Sequence, residues 1–238
     1  MASSANQHIR WLLKEGAIDQ LPRNLGDSEI VVPASEIKVF TKGEIATLWK
    51  VASVRMRLFI LLALNCGMTQ KDISDLKPSE VNWKQGTISR KRSKTREHKS
   101  TPTITYELWP ETLKLLKKLR AENSKSNVLL NNSGTPFKTE KLNANGNPSK
   151  VDIIGKEFRK SMKKCEITDR SFINLKKTSR SLLEDNKDFQ AVAELFVGRA
   201  PKTVSERHYA KPAANWLAEA TDWLRASLEI EKLSKVKT

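Results

Sequence analysis

Apolar positions recur at helical spacing along most of this chain. Residues 7–15 put Ile9, Leu12 and Leu13 on one side of a short amphipathic helix that Gly16 ends. A connector containing Pro22, Gly26 and Pro33 follows. Thr41-x-x-Glu44 forms a capping box, because each residue's side chain can satisfy the other's free backbone N–H, and it opens a helix running to about Val51. Arg55–Cys66 is apolar almost all round, which predicts a central core helix stopped by Gly67. Thr69-x-x-Asp72 caps a short helix ending near Leu76, with Thr69 as its N-cap.

The period then changes. Residues 81–92 and 101–106, rich in β-branched side chains, predict the strands of a basic hairpin with its turn at Ser93–Lys99. Pro110 starts a helix to about Glu122, and Val128–Leu130 reads as a short strand. The polar stretch 138–149 reads as a disordered loop, followed by helices over about 151–164, 172–185, 188–197 and 213–232. In the last, Trp216, Leu217, Ala220, Trp223, Leu224 and Leu228 form one apolar stripe, read as core. The predicted class is mainly α with one small antiparallel β-sheet (α+β).

Composition narrows the function. The longest apolar run, Leu58–Leu64, is far short of the roughly 18–20 residues of a membrane span. The N-terminus lacks a signal pattern, which argues for a cytoplasmic protein. His8, His98 and His208 have no cysteine partners at ligand spacing, so no metal site is expected; Cys66 and Cys165 need no disulfide in a reducing compartment.

Charge changes the picture most. The 238 residues carry a net charge of +16, concentrated in three segments. Residues 84–100 hold seven Lys/Arg against Glu97, residues 156–180 hold nine against three acids, and residues 198–211 hold four against Glu206. Three basic segments in one domain predict convergence on a polyanion, and nucleic acid fits because each neutralised phosphate releases counterions. An RNA- or protein-binding role is the competing class, disfavoured by an aromatic content of 6%.

The order of local patterns resembles the catalytic domain of tyrosine recombinases, the phage-integrase superfamily. Phe40-Thr-x-x-Glu-Ile45 is similar to that domain's opening helix, and Leu61–Met68 to the core helix and turn before its first catalytic arginine. Lys94-Thr95 resembles the hairpin lysine motif. Asn174–Thr178 stands in the place of the His-x-x-Arg box, and Phe196–Thr203 followed by Tyr209 resembles the final turn and nucleophilic tyrosine. The chain departs from the pattern at Thr69, where an arginine is usual, at Ile173 and Lys176, which replace the His and Arg of the box, and at Arg199, which replaces a later His.

The resemblance implies a tyrosine-recombinase catalytic-domain fold over residues 39–238, preceded by a linker (21–38) and, over residues 1–20, the last helix of a core-binding domain. It implies double-stranded DNA as partner, self-association as a tetramer on DNA, and no cofactor. Tyr209 would attack a phosphodiester to give a 3′-phosphotyrosyl intermediate, its alternative being a packing residue. Lys94 would act as general acid or as a simple phosphate contact, and Lys176 and Arg199 would stabilise charge on the phosphate. Arg90, Arg92, Arg96, Lys177, Arg180, Lys202 and Arg207 are expected DNA contacts. The runner-up function is a catalytically inactive pseudo-recombinase that keeps the fold as a DNA-binding module, since lysine offers a mobile point charge where arginine offers a fork.

Overall fold

The computed structural model describes residues 2–21, 36–99, 101–142, 146–199 and 214–235. The chain divides into two units, Met1–Ile37 and Lys38–Thr238. The first contains α1 (Ala2–Lys14), ended by Gly16 at φ +70°, with the Ala17 N–H donating to the Leu12 carbonyl. Within it the His8 and Trp11 rings stack, and Trp11 is exposed.

The second unit is built around one helix. α2 (Lys42–Val51) begins at the expected Thr41/Glu44 capping box, and α3 (Val54–Cys66) is buried from Met56 to Cys66. Burying each large apolar side chain there is worth about 1.5–3 kcal/mol. Two polar groups in α3 organise its neighbours. Asn65 donates to the Glu107 carbonyl and accepts from the Trp109 N–H, and Leu64 O accepts the Ser179 hydroxyl. Gly67 then turns the chain at φ +57°, where a Cβ would lie 2.9 Å from Phe196 O; no other residue fits without displacing backbone.

α4 (Gln70–Ser74) follows, and β1 (Val81–Asn82), β2 (Thr87–Arg90) and β3 (Ile104–Glu107) form an antiparallel sheet in that order. Ile88 pairs with Tyr106 and Arg90 with Ile104, so all four side chains turn to the buried side. α5 (Pro110–Leu119) leads to a second sheet, β4 (Lys138–Leu142) with β5 (Pro148–Asp152). Behind it come α6 (Ile153–Lys164), α7 (Ile173–Asp185), α8 (Ala193–Phe196), α9 (Ala214–Ser227) and α10 (Ile230–Lys235). The architecture is mainly α with small antiparallel sheets, as predicted.

Several local expectations are corrected. The stretch 138–149 is not a loop throughout: it supplies most of a β-ribbon with cross-strand ion pairs Lys138–Asp152 (3.5 Å) and Lys150–Glu140 (3.9 Å). A polar ribbon leaves no alternation for the sequence to reveal. Val128–Leu130 is not a strand; Val128 N–H donates to the Leu76 carbonyl and Val128 O accepts the Ala121 N–H, with no ladder along the segment. The segment 188–197 splits into a 3₁₀ turn, Gln190–Val192, and α8. The final helix breaks at Glu229, whose φ of +53° separates α9 from α10.

Candidate functional site

At the C-terminal end of α3, four pieces of chain meet: the Gly67 turn with α4, the base of the β2–β3 hairpin, the first turns of α7, and the turn after α8. Between them lies a cavity of about 20 Å³ lined by Asp72, Arg90, Arg92, Tyr106, Lys176 and Gly198, among others. That volume holds about one water-sized atom.

Asp72 organises one wall. It closes the α4 capping box with Thr69, whose hydroxyl donates to its carboxylate at 2.6 Å and whose Oγ1 accepts the Asp72 N–H. The same carboxylate accepts the Ser93 N–H at 2.8 Å and lies 3.5 Å from the Arg90 guanidinium. Arg90 also donates to the Asp72 carbonyl and to Ser93 Oγ. Burial alone would raise the Asp72 carboxyl, but Arg90 and the hydrogen bonds from Thr69 and Ser93 outweigh it and hold the group below its usual range. Arg90 is therefore a buried structural cation, 4% exposed, and not the surface DNA contact that its charge suggested. A usable signal was present: it lies two residues after Ile88, on the buried face of the strand.

Lys176 forms the opposite wall. It is 7% exposed, and its ammonium donates to the Val197 carbonyl at 3.2 Å. Burial lowers it to about 8; Arg92, Arg199 and Arg90 add to the shift, while Asp72 opposes it. Tyr106 closes the back, its hydroxyl on Phe196 O at 2.8 Å and its ring edge-on to Phe196. Burial pushes this phenol and the adjoining Cys66 thiol well above their usual values, so neither ionises near neutral pH.

The remaining expected residues separate into groups. Arg92 lines the cavity with Lys176. Lys94, in the 3₁₀ turn Ser93–Thr95, and Lys177 are exposed. Arg96 pairs with Glu80 at 3.0 Å. Arg180 pairs with Glu184 and Glu194, both at 2.5 Å, and Arg199 pairs with Glu194 at 3.1 Å. Tyr209, Lys202 and Arg207 lie outside the described residues. Among the described residues no group of His, Cys, Asp and Glu is arranged to hold a metal. Asp72, which the sequence marked only as a helix cap, is the carboxylate around which the pocket is built.

Comparisons agree with this architecture. A search of curated proteins by sequence finds no match. Among solved structures, lambda integrase in a tetramer bound to a Holliday junction is similar at a TM-score of 0.58 and 17% identity, covering 85% of this chain and 58% of that one. The lambda integrase catalytic core gives 0.50 and 17%, covering 68% of this chain and 95% of that chain. The integrase of mycobacterium phage Brujita gives 0.57 and 15%, covering 94% and 70%. This chain thus spans little more than half the length of the full lambda protein chain and shares its fold. The phage integrase family model matches residues 38–215, the stretch that carries the core helix, the hairpin and the pocket, and the chain belongs to that family.

Proposed function

We propose that this protein binds double-stranded DNA and recombines it site-specifically through a 3′-phosphotyrosyl intermediate on Tyr209. The observation that carries the reading is Lys176: a buried ammonium, held by one backbone carbonyl, in a pocket whose carboxylate is already engaged by Arg90. Burying such a charge is costly unless an anion completes the site, and a phosphodiester is the anion that the family context supplies. In this mechanism the Tyr209 oxygen bonds to phosphorus as the P–O5′ bond breaks. Lys94 gives its proton to the leaving 5′-oxygen, the phenolic proton passes to water, and Lys176 and Arg199 stabilise the charge on the phosphate. Residues 39–238 act as the catalytic domain, residues 21–38 as linker and residues 1–20 as the end of a core-binding domain. Tetramers on paired sites fit the lambda integrase tetramer bound to a Holliday junction.

A second reading, a DNA-binding pseudo-recombinase, is favoured by Thr69 and Arg90. The first uses its side chain to cap α4, and the second holds its guanidinium on Asp72 and Ser93. One experiment separates the two readings. Nicked duplexes from the surrounding genome are mixed with the protein, denatured in detergent and assayed for DNA-linked protein. Adduct in wild type and none in Tyr209→Phe supports recombination; salt-sensitive duplex binding without adduct supports the second reading, and salt-insensitive association counts against both.

A further inference from the structure

We infer that Arg92 and Lys176 form a two-cation clamp for one tetrahedral oxyanion, a single phosphodiester of the bound DNA, with Arg92 supplying the guanidinium fork. The clamp deepens the DNA-binding reading and rests on it.

Arg92 is the cation of the hairpin that lines the cavity without a counter-charge among the described residues. Its Nε is buried and makes no hydrogen bond, and among the described residues no carboxylate pairs with its guanidinium. Its stem is held in place: the turn at Gly198, φ +71°, brings the backbone so close that a Cβ there would lie 3.3 Å from the Arg92 Cβ. The glycine therefore leaves room for the arginine stem in the wall of the cavity shared with Lys176.

Among the described residues, the other charged groups at the cavity are accounted for. Arg90 and Asp72 neutralise one another, and Arg199 turns to Glu194. Tyr106 and Cys66 face the cavity uncharged, because burial raises both. Arg92 and Lys176 thus leave two uncompensated positive charges around a space of about 20 Å³, room for one oxygen of an anion whose remainder stays outside. Two like charges held this way repel each other until an anion arrives, whereas a planar fork and an ammonium together match two oxygens of a phosphate.

The test uses the full chain, isotope-labelled, titrated with sulfate at constant ionic strength. Sulfate is tetrahedral and keeps its charge from pH 6 to pH 10. The amide signal of Gly198 reports binding. Arg92→Gln and Lys176→Gln are each expected to weaken sulfate binding roughly 10- to 100-fold, the range for losing a charged hydrogen bond, while Lys118→Gln, exposed on α5, stays within about twofold. Wild-type affinity is expected to fall as pH rises past about 8, where Lys176 loses its proton, and Lys176→Arg is expected to flatten that fall. Wild-type affinity in Arg92→Gln overturns the clamp, as does an equal loss in Lys118→Gln. Should Arg92→Gln fail to fold, Arg92→Lys decides: weaker binding supports a fork, and unchanged binding overturns it.

Duplex DNA titrated in parallel separates the two readings. Sulfate bound as described without salt-sensitive duplex binding keeps the clamp as an oxyanion site and overturns its assignment to DNA. Duplex binding that Arg92→Gln leaves unchanged overturns the clamp and keeps the DNA reading, and binding of neither overturns both.

Discussion

Two clusters of cations lie beside α7, and they are built oppositely. On one, Arg180 and Arg199 share Glu194, and Arg180 also reaches Glu184. On the other, Arg92 and Lys176 share a cavity in which the only carboxylate among the described residues, Asp72, belongs to Arg90. The first cluster is a half-exposed network of ordinary surface pairs, each worth little. The second keeps positive charge away from water and from counter-ions, which lowers stability and makes sense for a group that waits for an anion. A basic stretch of chain is therefore not yet a binding site; the distribution of carboxylates decides which cations remain available.

Asp72 carries the largest difference between the two clusters. Asp72→Asn leaves Arg90 buried without its counter-charge and is expected to cost about 3–5 kcal/mol at pH 7 by chemical denaturation. The folded carboxyl titrates below its unfolded value of 3.8, so this contribution is complete above that pH and disappears as pH falls toward the folded value. The difference between wild type and variant should close in acid. A cost under about 1 kcal/mol would make the Asp72–Arg90 pair no different from the surface network.

Lys176→Met is the next largest change and has the opposite sign. The folded ammonium titrates near 8 against 10.5 unfolded, so the unfolded chain binds more protons between those values. Wild type therefore gains stability as pH rises through that window, and the Met variant does not. At pH 7 the variant should be more stable by on the order of 2–3 kcal/mol, an advantage that vanishes by about pH 10.5. An advantage that persisted at high pH would trace to packing and not to the charge.

Glu194→Gln probes the paired cluster. It should change stability by less than about 1 kcal/mol, because its ion pairs are partly solvated. Releasing Arg180 and Arg199 should steepen the salt dependence of duplex affinity by about one or two. An unchanged slope would place that face away from DNA. The smallest effect is expected at Lys177, exposed beside buried Lys176. Lys177→Met should alter stability by less than about 0.5 kcal/mol at any pH, as surface substitutions do.

Much of the frame is visible in local sequence. Thr41 with Glu44 and Thr69 with Asp72 cap the helices they were expected to cap, because a capping box closes within three residues. The all-apolar run in α3 and the left-handed Gly67 mark the central helix and its end. Local patterns failed where the signal was not local. The β4–β5 ribbon is held by backbone pairing and cross-strand charges, with no apolar alternation, and Glu229 breaks the last helix at a position without a glycine. At the site, Lys176 could be singled out by its place in a motif. That Arg90, not Arg92, would be held by Asp72 could not, since the pair joins residues eighteen apart across two elements.

Most helices, the core helix and its glycine stop, the basic segments and the family likeness are legible in local sequence, because periodicity, caps and charge all act within a few residues. Only the tertiary structure decided which cations are neutralised and which are free. Arg180 meets Glu194, Arg90 meets Asp72, and Lys176 hydrogen-bonds the Val197 carbonyl, through contacts made when distant segments fold together. Burial and pairing set the strength of an electrostatic interaction, and both are properties of that packing, not of composition.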